Sequence, residues 1–337
     1  MAIVNTALTL KDLPTPPEGK TGWPWTEQTE PLSDKMPNGS GCPCVSIVTP
    51  NYNQGNYLEE TIRSVLLQGY PNLEYIIIDA DSTDNSVEII KKYEKYLAYW
   101  VSESDRGQSH GINKGLQKCT GDYVTWMNSS DCYMEGALIS LFGNHCLKKT
   151  EFIFSNSVLM GETIKISKIH QSLIENIKNI KYLLQFFYNS RYIIPSQAIF
   201  LSKSLLIHVG FLDEDLHYCM DLDWLVRIAL VNPSSQRVET PFSFYRQHED
   251  SKTATKNKSM KEEAKLISQR YMIYLKEGEK KKLYLLIEYS DELDNYYLCN
   301  KDKTFGNFIK TIGKFPQKSL SLTDRRFLGM IKQALFL

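Results

Sequence analysis

The chain has 337 residues, 42% of them hydrophobic and 23% charged, which is the balance of a globular protein holding one large α/β domain with additions or two domains. Lys plus Arg and Asp plus Glu stand at 39 each, so there is no global basic field for nucleic acid, and any positive patch must be local. No apolar run approaches the roughly 18 residues of a membrane span, and the start MAIVNTALTLKDLP lacks a signal-peptide pattern, so a cytoplasmic protein is expected. The seven cysteines are scattered and read as reduced thiols, with Cys132 a small filler residue.

Residues 1–44 are rich in Pro, Gly, Thr and acids and cannot build a core, so they read as an irregular arm anchored by Trp23 and Trp25. Val45 to Thr49 is a β-branched strand closed by Pro50-Asn51-Tyr52-Asn53-Gln54-Gly55-Asn56. A helix follows with Leu58, Ile62, Val65 and Leu66 on one face, and Gly69-Tyr70-Pro71-Asn72 ends it. Leu73 to Ile78 is a second strand running into Asp79-Ala80-Asp81-Ser82-Thr83-Asp84, where Asp84 suits the cap of a helix carrying Val87, Ile90 and Tyr93. Ala98 to Val101 is a third strand, followed by Asp105-Arg106-Gly107-Gln108 and a helix through Ile112 and Leu116. The fourth strand, from Tyr123 to Met127, stops in Asn128-Ser129-Ser130-Asp131.

Four strand-to-helix units in succession predict a mostly parallel, Rossmann-like sheet with helices on both faces. The loops at the carboxyl ends of its strands converge on one edge, where open α/β sheets hold ligands. Asp131 therefore stands where chemistry is expected, since an acid there can share Mg²⁺ or Mn²⁺ with substrate phosphates. On that stretch alone, a simple turn that ends a strand is the stronger reading.

The second half is expected to hold a helix over 137–147, antiparallel strands over 151–159 and 163–167, and a helical aromatic stretch over 171–190. A helix over 203–209 follows, then one with Leu222, Leu225, Val226 and Ala229 inward and Asp221 at its amino end. Phe242 to Tyr245 is a last strand, and the chain beyond is helical and charged to about residue 300. Residues 301–337 interleave Lys and Arg with aromatics, which suits an anionic membrane surface, a partner protein, or a helical pair packed on its own domain.

The stretches VSIVTPNYNQGNYLEETIRSVLLQGYPNLEYIIIDADSTDNSVEII, SESDRGQSHGINKG, TGDYVTWMNSSD, PSQAIF, MDLDWLVR and FYRQHEDSKT occur in order between about residues 45 and 255. Together they resemble a family 2 glycosyltransferase of the GT-A fold. The resemblance implies a GT-A domain over 45–255 with a nucleotide-binding half to 135 and an acceptor half from 136, flanked by the irregular arm over 1–44 and a helical extension over 256–337 that the composition indicates. It implies that Thr49, Asn51, Tyr52 and Asp79, with Asp81, Asn128 and Ser130, hold a nucleoside-diphosphate sugar, and that Arg106 and Lys114 face its ribose or pyrophosphate. Asp131 takes the metal-binding place for Mg²⁺ or Mn²⁺ and Asp221 that of the catalytic base, with Asp223 as the alternative base. His248 is assigned to the metal and Lys252 to the diphosphate. The chain departs from the family pattern at Ser130, where a second acid is usual, and at Asp81, where Gly is usual.

The activity so implied is inverting transfer of a sugar to a hydroxyl of a glycan or lipid-linked acceptor. It would serve cell-surface polysaccharide or lipopolysaccharide assembly, with no nucleic-acid partner and with contact to the cytoplasmic face of the membrane through 301–337. The alternative is a degenerate member that binds a nucleotide-sugar without turnover. Nucleotidyl transfer is disfavoured, because Pro50-Asn51-Tyr52-Asn53 is no Gly-rich phosphate loop.

Overall fold

The computed structural model describes residues 6–33, 35, 39, 41–143, 150–160, 179–185, 196–248 and 258–299. The expected calls on 163–167, most of 171–190, Lys252 and the tail 301–337 lie outside those residues.

The first three strand-to-helix units and the fourth strand form as their patterns require. They are β1 (Val45–Asn51), α1 (Gly55–Leu66), β2 (Leu73–Asp79), α2 (Ser86–Tyr93), β3 (Tyr99–Ser102), α3 (Gln108–Lys118) and β4 (Tyr123–Trp126). β1 pairs in parallel with both β2 and β4, and β2 with β3, so all four carboxyl ends share one edge. All seven residues of β1 and of β2 are buried, as a central parallel strand covered on both faces demands. Val45, Ile47, Tyr75 and Ile77 join the core with Leu58, Ile62 and Val65 of α1 and Ile90 and Tyr93 of α2. On the other face α3 lies so close that a Cβ at Gly115 would come within 2.2 Å of Val48 Cγ1.

The seven-stranded sheet has the order β3-β2-β1-β4-β8-β6-β9, with β6 (Phe152–Phe154), β8 (Ile199–Ser202) and β9 (Ser235–Arg237) completing it. β8 runs antiparallel to both β4 and β6, so the sheet is mostly parallel. A second sheet of order β5-β10-β7 joins β5 (Cys132–Tyr133), β10 (Ser243–Arg246) and β7 (Ser157–Met160).

Two expectations change here. The strand expected over 151–159 divides into β6 and β7, which enter different sheets. Ser155 and Asn156 form the break, with Ser155 N donating to Ala198 O and its hydroxyl to Thr240 O at 2.6 Å. The helix expected over 137–147 is, in its described part, a short wide turn over Ile139–Gly143. Helices α5 (Lys203–Val209) and α6 (Met220–Val231) form as expected.

The arm has neither helix nor strand over 6–33, and it is bound by its backbone carbonyls. The fully buried Arg63 of α1 donates to Pro14 O, Pro24 O and Trp25 O at 2.8–3.0 Å and to the Tyr93 hydroxyl at 3.1 Å. Trp23 Nε1 donates to Tyr133 O at 2.8 Å. Gly69 (φ 61) is required twice over, since a side chain there would be strained and its Cβ would meet Glu30 O at 2.6 Å.

By internal contacts the chain divides into two units, residues 1–169 with 195–256, and residues 170–194 with 257–337. In the second unit α4 (Ile180–Leu184), α7 (Lys258–Tyr271) and α8 (Glu277–Cys299) carry the described structure. Asp291 of α8 pairs there with Lys261 and Lys265 of α7 at 2.9 and 3.0 Å.

Candidate active site

The loops after β1 and β2 are zipped together by side chains. Asn51 Nδ2 donates to Asp79 Oδ1 at 2.6 Å, Asn53 N donates to Ser82 Oγ at 2.9 Å, and Thr83 N donates to Asn53 Oδ1 at 2.8 Å. Asp84 accepts from Gly55 N at 2.8 Å and from Ser86 N at 3.0 Å, so one carboxylate serves the starts of both α1 and α2. The approach needs Gly55, because a Cβ there would lie 1.8 Å from Asn85 Oδ1.

Within this frame Asp79 is wholly buried and accepts four bonds, from Asn51 Nδ2, Ser82 Oγ, Ser82 N and Ser102 Oγ, all within 3.0 Å. Its lone pairs are taken by the protein, so it fixes the shape of the loops. Thr49 is likewise buried and shares a 3.0 Å hydrogen bond with the Tyr75 hydroxyl. Tyr52 is 61% exposed at the same edge. Asp81 is exposed at φ 59, the left-handed conformation for which Gly is better suited.

The next loop carries Arg106, whose exposed guanidinium pairs with Glu214. Lys114 pairs with Glu103 at 2.6 Å. Both cations therefore have carboxylate partners in this structure.

Asp131 is buried almost as fully as Asp79. It is 1% exposed, with Oδ1 accepting from Arg246 N at 2.9 Å and Oδ2 from Asn128 Nδ2 at 3.0 Å. Burial pushes its carboxyl up to about 6, against the opposing pull of the Arg246 amide, the Asn128 side chain and the Arg246 charge. Asn128 is itself oriented by Gln108 Nε2, which donates to Asn128 Oδ1 at 2.9 Å. Thr61 of α1 donates to the carbonyls of Ser129 and Asp131 at 2.9 and 2.7 Å, and Arg246 Nε donates to Ser130 O at 2.9 Å. The turn that read as a strand end is thus gripped from α1, α3 and β10.

Arg246 pairs with Glu60 at 2.8 Å and lies 5.1 Å over the Tyr57 ring, and His248 meets the other side of this cluster with its ring 4.9 Å from Tyr57. Among the described residues no three His, Cys, Asp or Glu side chains are grouped to hold a metal. An all-protein cage is thus not built from them. One buried carboxylate with free lone-pair capacity fits Mg²⁺ or Mn²⁺ whose remaining ligands are waters and a substrate diphosphate, the usual habit of these ions.

Asp221 opens α6, half-buried, with Oδ1 accepting from Leu222 N at 2.8 Å. The alternative base, Asp223, is 1% exposed and bonded to Arg227 at 2.9 Å, so it is a structural partner. Trp224, one turn after Asp221, lies with its ring 5.0 Å from that of Trp126, two residues before Asn128. This contact brings the first turns of α6 to the strand whose following loop carries Asp131. Cys132 is fully buried and its thiol is pushed up to about 12, by burial first and then by Glu60, so it stays protonated and inert.

Sequence reading missed Gln108, Glu60 and Arg246. Gln108 had a signal, since it follows a Gly in a strand-to-helix loop; the grip of Arg246 on Asp131 is made by a backbone amide, for which side-chain identity carries no signal.

The family model for glycosyl transferase family 2 matches residues 46–206. An uncharacterized glycosyltransferase of Mycobacterium tuberculosis is 28% identical over 57% of this chain and 71% of its own length. TuaG of Bacillus subtilis, described as a putative teichuronic acid biosynthesis glycosyltransferase, is 34% identical over 36% of this chain and 49% of its own. Among solved structures, S. aureus TarS 1–349 in complex with UDP-GlcNAc aligns with a TM-score of 0.57 at 16% identity, covering 87% of this chain and 88% of that one, a likeness of fold alone. The mostly parallel sheet with helices on both faces agrees with that match: residues 46–206 of this chain match the glycosyl transferase family 2 model, and the fold is GT-A.

Proposed function

We propose that the chain is an inverting, metal-dependent hexosyltransferase that moves a sugar from a nucleoside-diphosphate donor to a hydroxyl of a glycan or lipid-linked acceptor. The observation that carries the reading is the buried carboxylate of Asp131, which accepts only from Arg246 N and Asn128 among the bonds of the described residues, beside the Trp126–Trp224 contact that links β4 to the helix of Asp221. In an inverting transfer the acceptor hydroxyl attacks the anomeric carbon from the face opposite the diphosphate, and a carboxylate takes its proton. Asp221 does this from the first turn of α6. Asp131, with His248, would hold a Mg²⁺ or Mn²⁺, which would supply positive charge to the leaving diphosphate. Asn128, itself held by Gln108, fixes the orientation of the Asp131 carboxylate. Tyr52 offers a ring to the nucleobase, Asn51 and Asp81 line the ribose side, and Asp79 and Thr49 act from behind by fixing the loop. Arg106, Lys114, Ser130 and Lys252 meet the diphosphate, the first two on leaving their acidic partners.

The TarS complex with UDP-GlcNAc favours a UDP-sugar donor, and the likeness to TuaG favours cell-surface polysaccharide assembly. Work on the cytoplasmic side at the membrane surface, through 301–337, follows from the basic and aromatic pattern of that tail; among the described residues no helix is long and apolar enough to cross a membrane. Ser130, which removes one charge beside the ion, favours a second reading, a member that binds its donor without turnover. A thermal-shift series with UDP, GDP and CDP, each with and without Mn²⁺, followed by UDP release from UDP-sugars, separates the two. Turnover lost in Asp131→Ala and Asp221→Ala supports the transferase; Mn²⁺-independent binding with no release from any donor would leave only the binding role.

A further inference from the structure

We infer that Asn113, on the second turn of α3, is the positioning residue that sets the catalytic carboxylate against the donor; the inference rests on the assignment of Asp221 as the base. The loop 210–219 delivers α6 to the site, and its backbone is pinned from two sides. From α6 itself, Arg227 Nη1 donates to Val209 O at 2.6 Å, Trp224 Nε1 to Gly210 O at 3.0 Å and Arg227 Nη2 to Phe211 O at 2.8 Å. Those bonds tie the loop to α5 and α6, and the Trp126–Trp224 contact sets α6 against β4, but none of them reaches the loop after β3 that carries Arg106.

Asn113 supplies the other side. Its Nδ2 donates to Leu212 O at 2.9 Å while its Oδ1 accepts from Leu212 N at 2.9 Å, a two-way bond that only a side chain with both donor and acceptor can make. The same Nδ2 donates to Glu214 Oε1 at 3.0 Å, and Glu214 pairs through its other oxygen with Arg106. Asn113 is 3% exposed, so water does not replace these bonds easily. One turn towards the start of α3, the Ser109 hydroxyl donates to Leu216 O at 2.8 Å, and a Cβ at Gly107 would lie 3.4 Å from the His217 ring. The loop therefore climbs α3 from Asn113 to Gly107 and reaches Asp221 at the end of α3 that carries Arg106 and Gln108. Since α3 follows the β3 loop directly, Asn113 converts the position of the donor loops into the position of the base.

The test uses the full chain. UDP release from UDP-Glc, UDP-Gal and UDP-GlcNAc with water as acceptor, the Kd for UDP, and amide exchange over 210–222 are measured for the wild type and for Asn113→Ala, Asn113→Asp and Ser109→Ala, with Ser109→Thr as the rescue. Expected are a kcat lower by about a hundredfold in the Asn113 variants, as for a misplacement of about 1 Å, an unchanged UDP Kd, and faster exchange over 210–222 only. Ser109→Ala should lose less, and Ser109→Thr should recover it, which keeps the test standing if the Asn113 variants fail to fold. Release at the wild-type rate in Asn113→Ala or in Ser109→Ala, while Asp221→Asn is inactive, overturns the positioning role. Equal release by wild type and Asp221→Asn overturns instead the assignment of the base.

Discussion

The indole of Trp126, the last residue of β4, meets that of Trp224, one turn into α6, with ring centroids 5.0 Å apart. Both are almost fully buried, and each stands three residues or fewer from an acid or amide of the site, Asn128 on one side and Asp221 on the other. Because cores are close-packed, this contact helps to set how far the Asp131 loop lies from Asp221. Trp224→Leu removes the ring contact and the bond to Gly210 O, and is expected to lower the unfolding free energy by about 3 kcal/mol in urea titration.

Asp221 and Asp223 sit on one helix turn and are expected to behave oppositely. Asp221→Asn should abolish UDP release with the urea midpoint nearly unchanged. Asp223→Asn removes the buried charge that pairs with Arg227, which in turn clamps Val209 O and Phe211 O, and should cost about 2–3 kcal/mol of stability. A stable, inactive Asp223→Asn would reverse the two assignments.

The raised Asp131 carboxyl gives a pH dependence with a definite sign. Its folded value of about 6 lies above the usual 3.8, so the native state holds the proton more tightly than the unfolded chain. Stability from this group is full below about pH 4, falls between about 4 and 6, and is level above, the whole step being about 3 kcal/mol. Comparing urea midpoints of wild type and Asp131→Asn across that range isolates it; parallel curves for the two proteins would show that Asp131 is not raised. Mn²⁺ requires the ionised carboxylate, so its apparent affinity should weaken below about pH 6 in calorimetric titration.

The approach of α3 to β1 depends on Gly115. Gly115→Ala places a Cβ 2.2 Å from Val48 Cγ1 and should destabilise by about 1–3 kcal/mol. Val48→Ala opens the space, so the double variant should lose less than the sum of the two single losses. Strict additivity in a denaturant cycle would mean that the helix shifts instead.

Arg63 binds the arm by three of its carbonyls. Arg63→Met leaves those carbonyls and the Tyr93 hydroxyl without that donor, which should cost about 3–5 kcal/mol and expose residues 6–33 to limited proteolysis. An arm that remains protected would show that Trp23, Trp25 and Leu13 suffice to hold it.

Much of the fold was legible because β-branched runs, helical periodicity and turn residues act over a few positions. β1 to β4 and α1 to α3 fall where the pattern of Val, Ile and Leu puts them, and the carboxyl edge followed from the alternation alone. β5 was not legible: two residues, Cys132 and Tyr133, have no period, and they form a strand only because β10 returns from more than a hundred positions away to pair with them. The division of 151–159 between two sheets was equally hidden, since Ser155 breaks the strand by bonding to Ala198 and Thr240.

The sequence by itself determined the α/β class, the edge of the sheet where the polar loops gather, and the acids worth naming there. Tertiary structure alone decided their standing: four donors from three loops turned Asp79 into a brace, Arg227 turned Asp223 into a partner, and Asn128, Gln108 and the Arg246 amide closed on Asp131. The reason is one of range. Strand and helix are set by near neighbours along the chain, whereas the proton affinity of a carboxylate and the lone pairs it has left depend on which distant groups the fold brings within 3 Å and on how much water it removes.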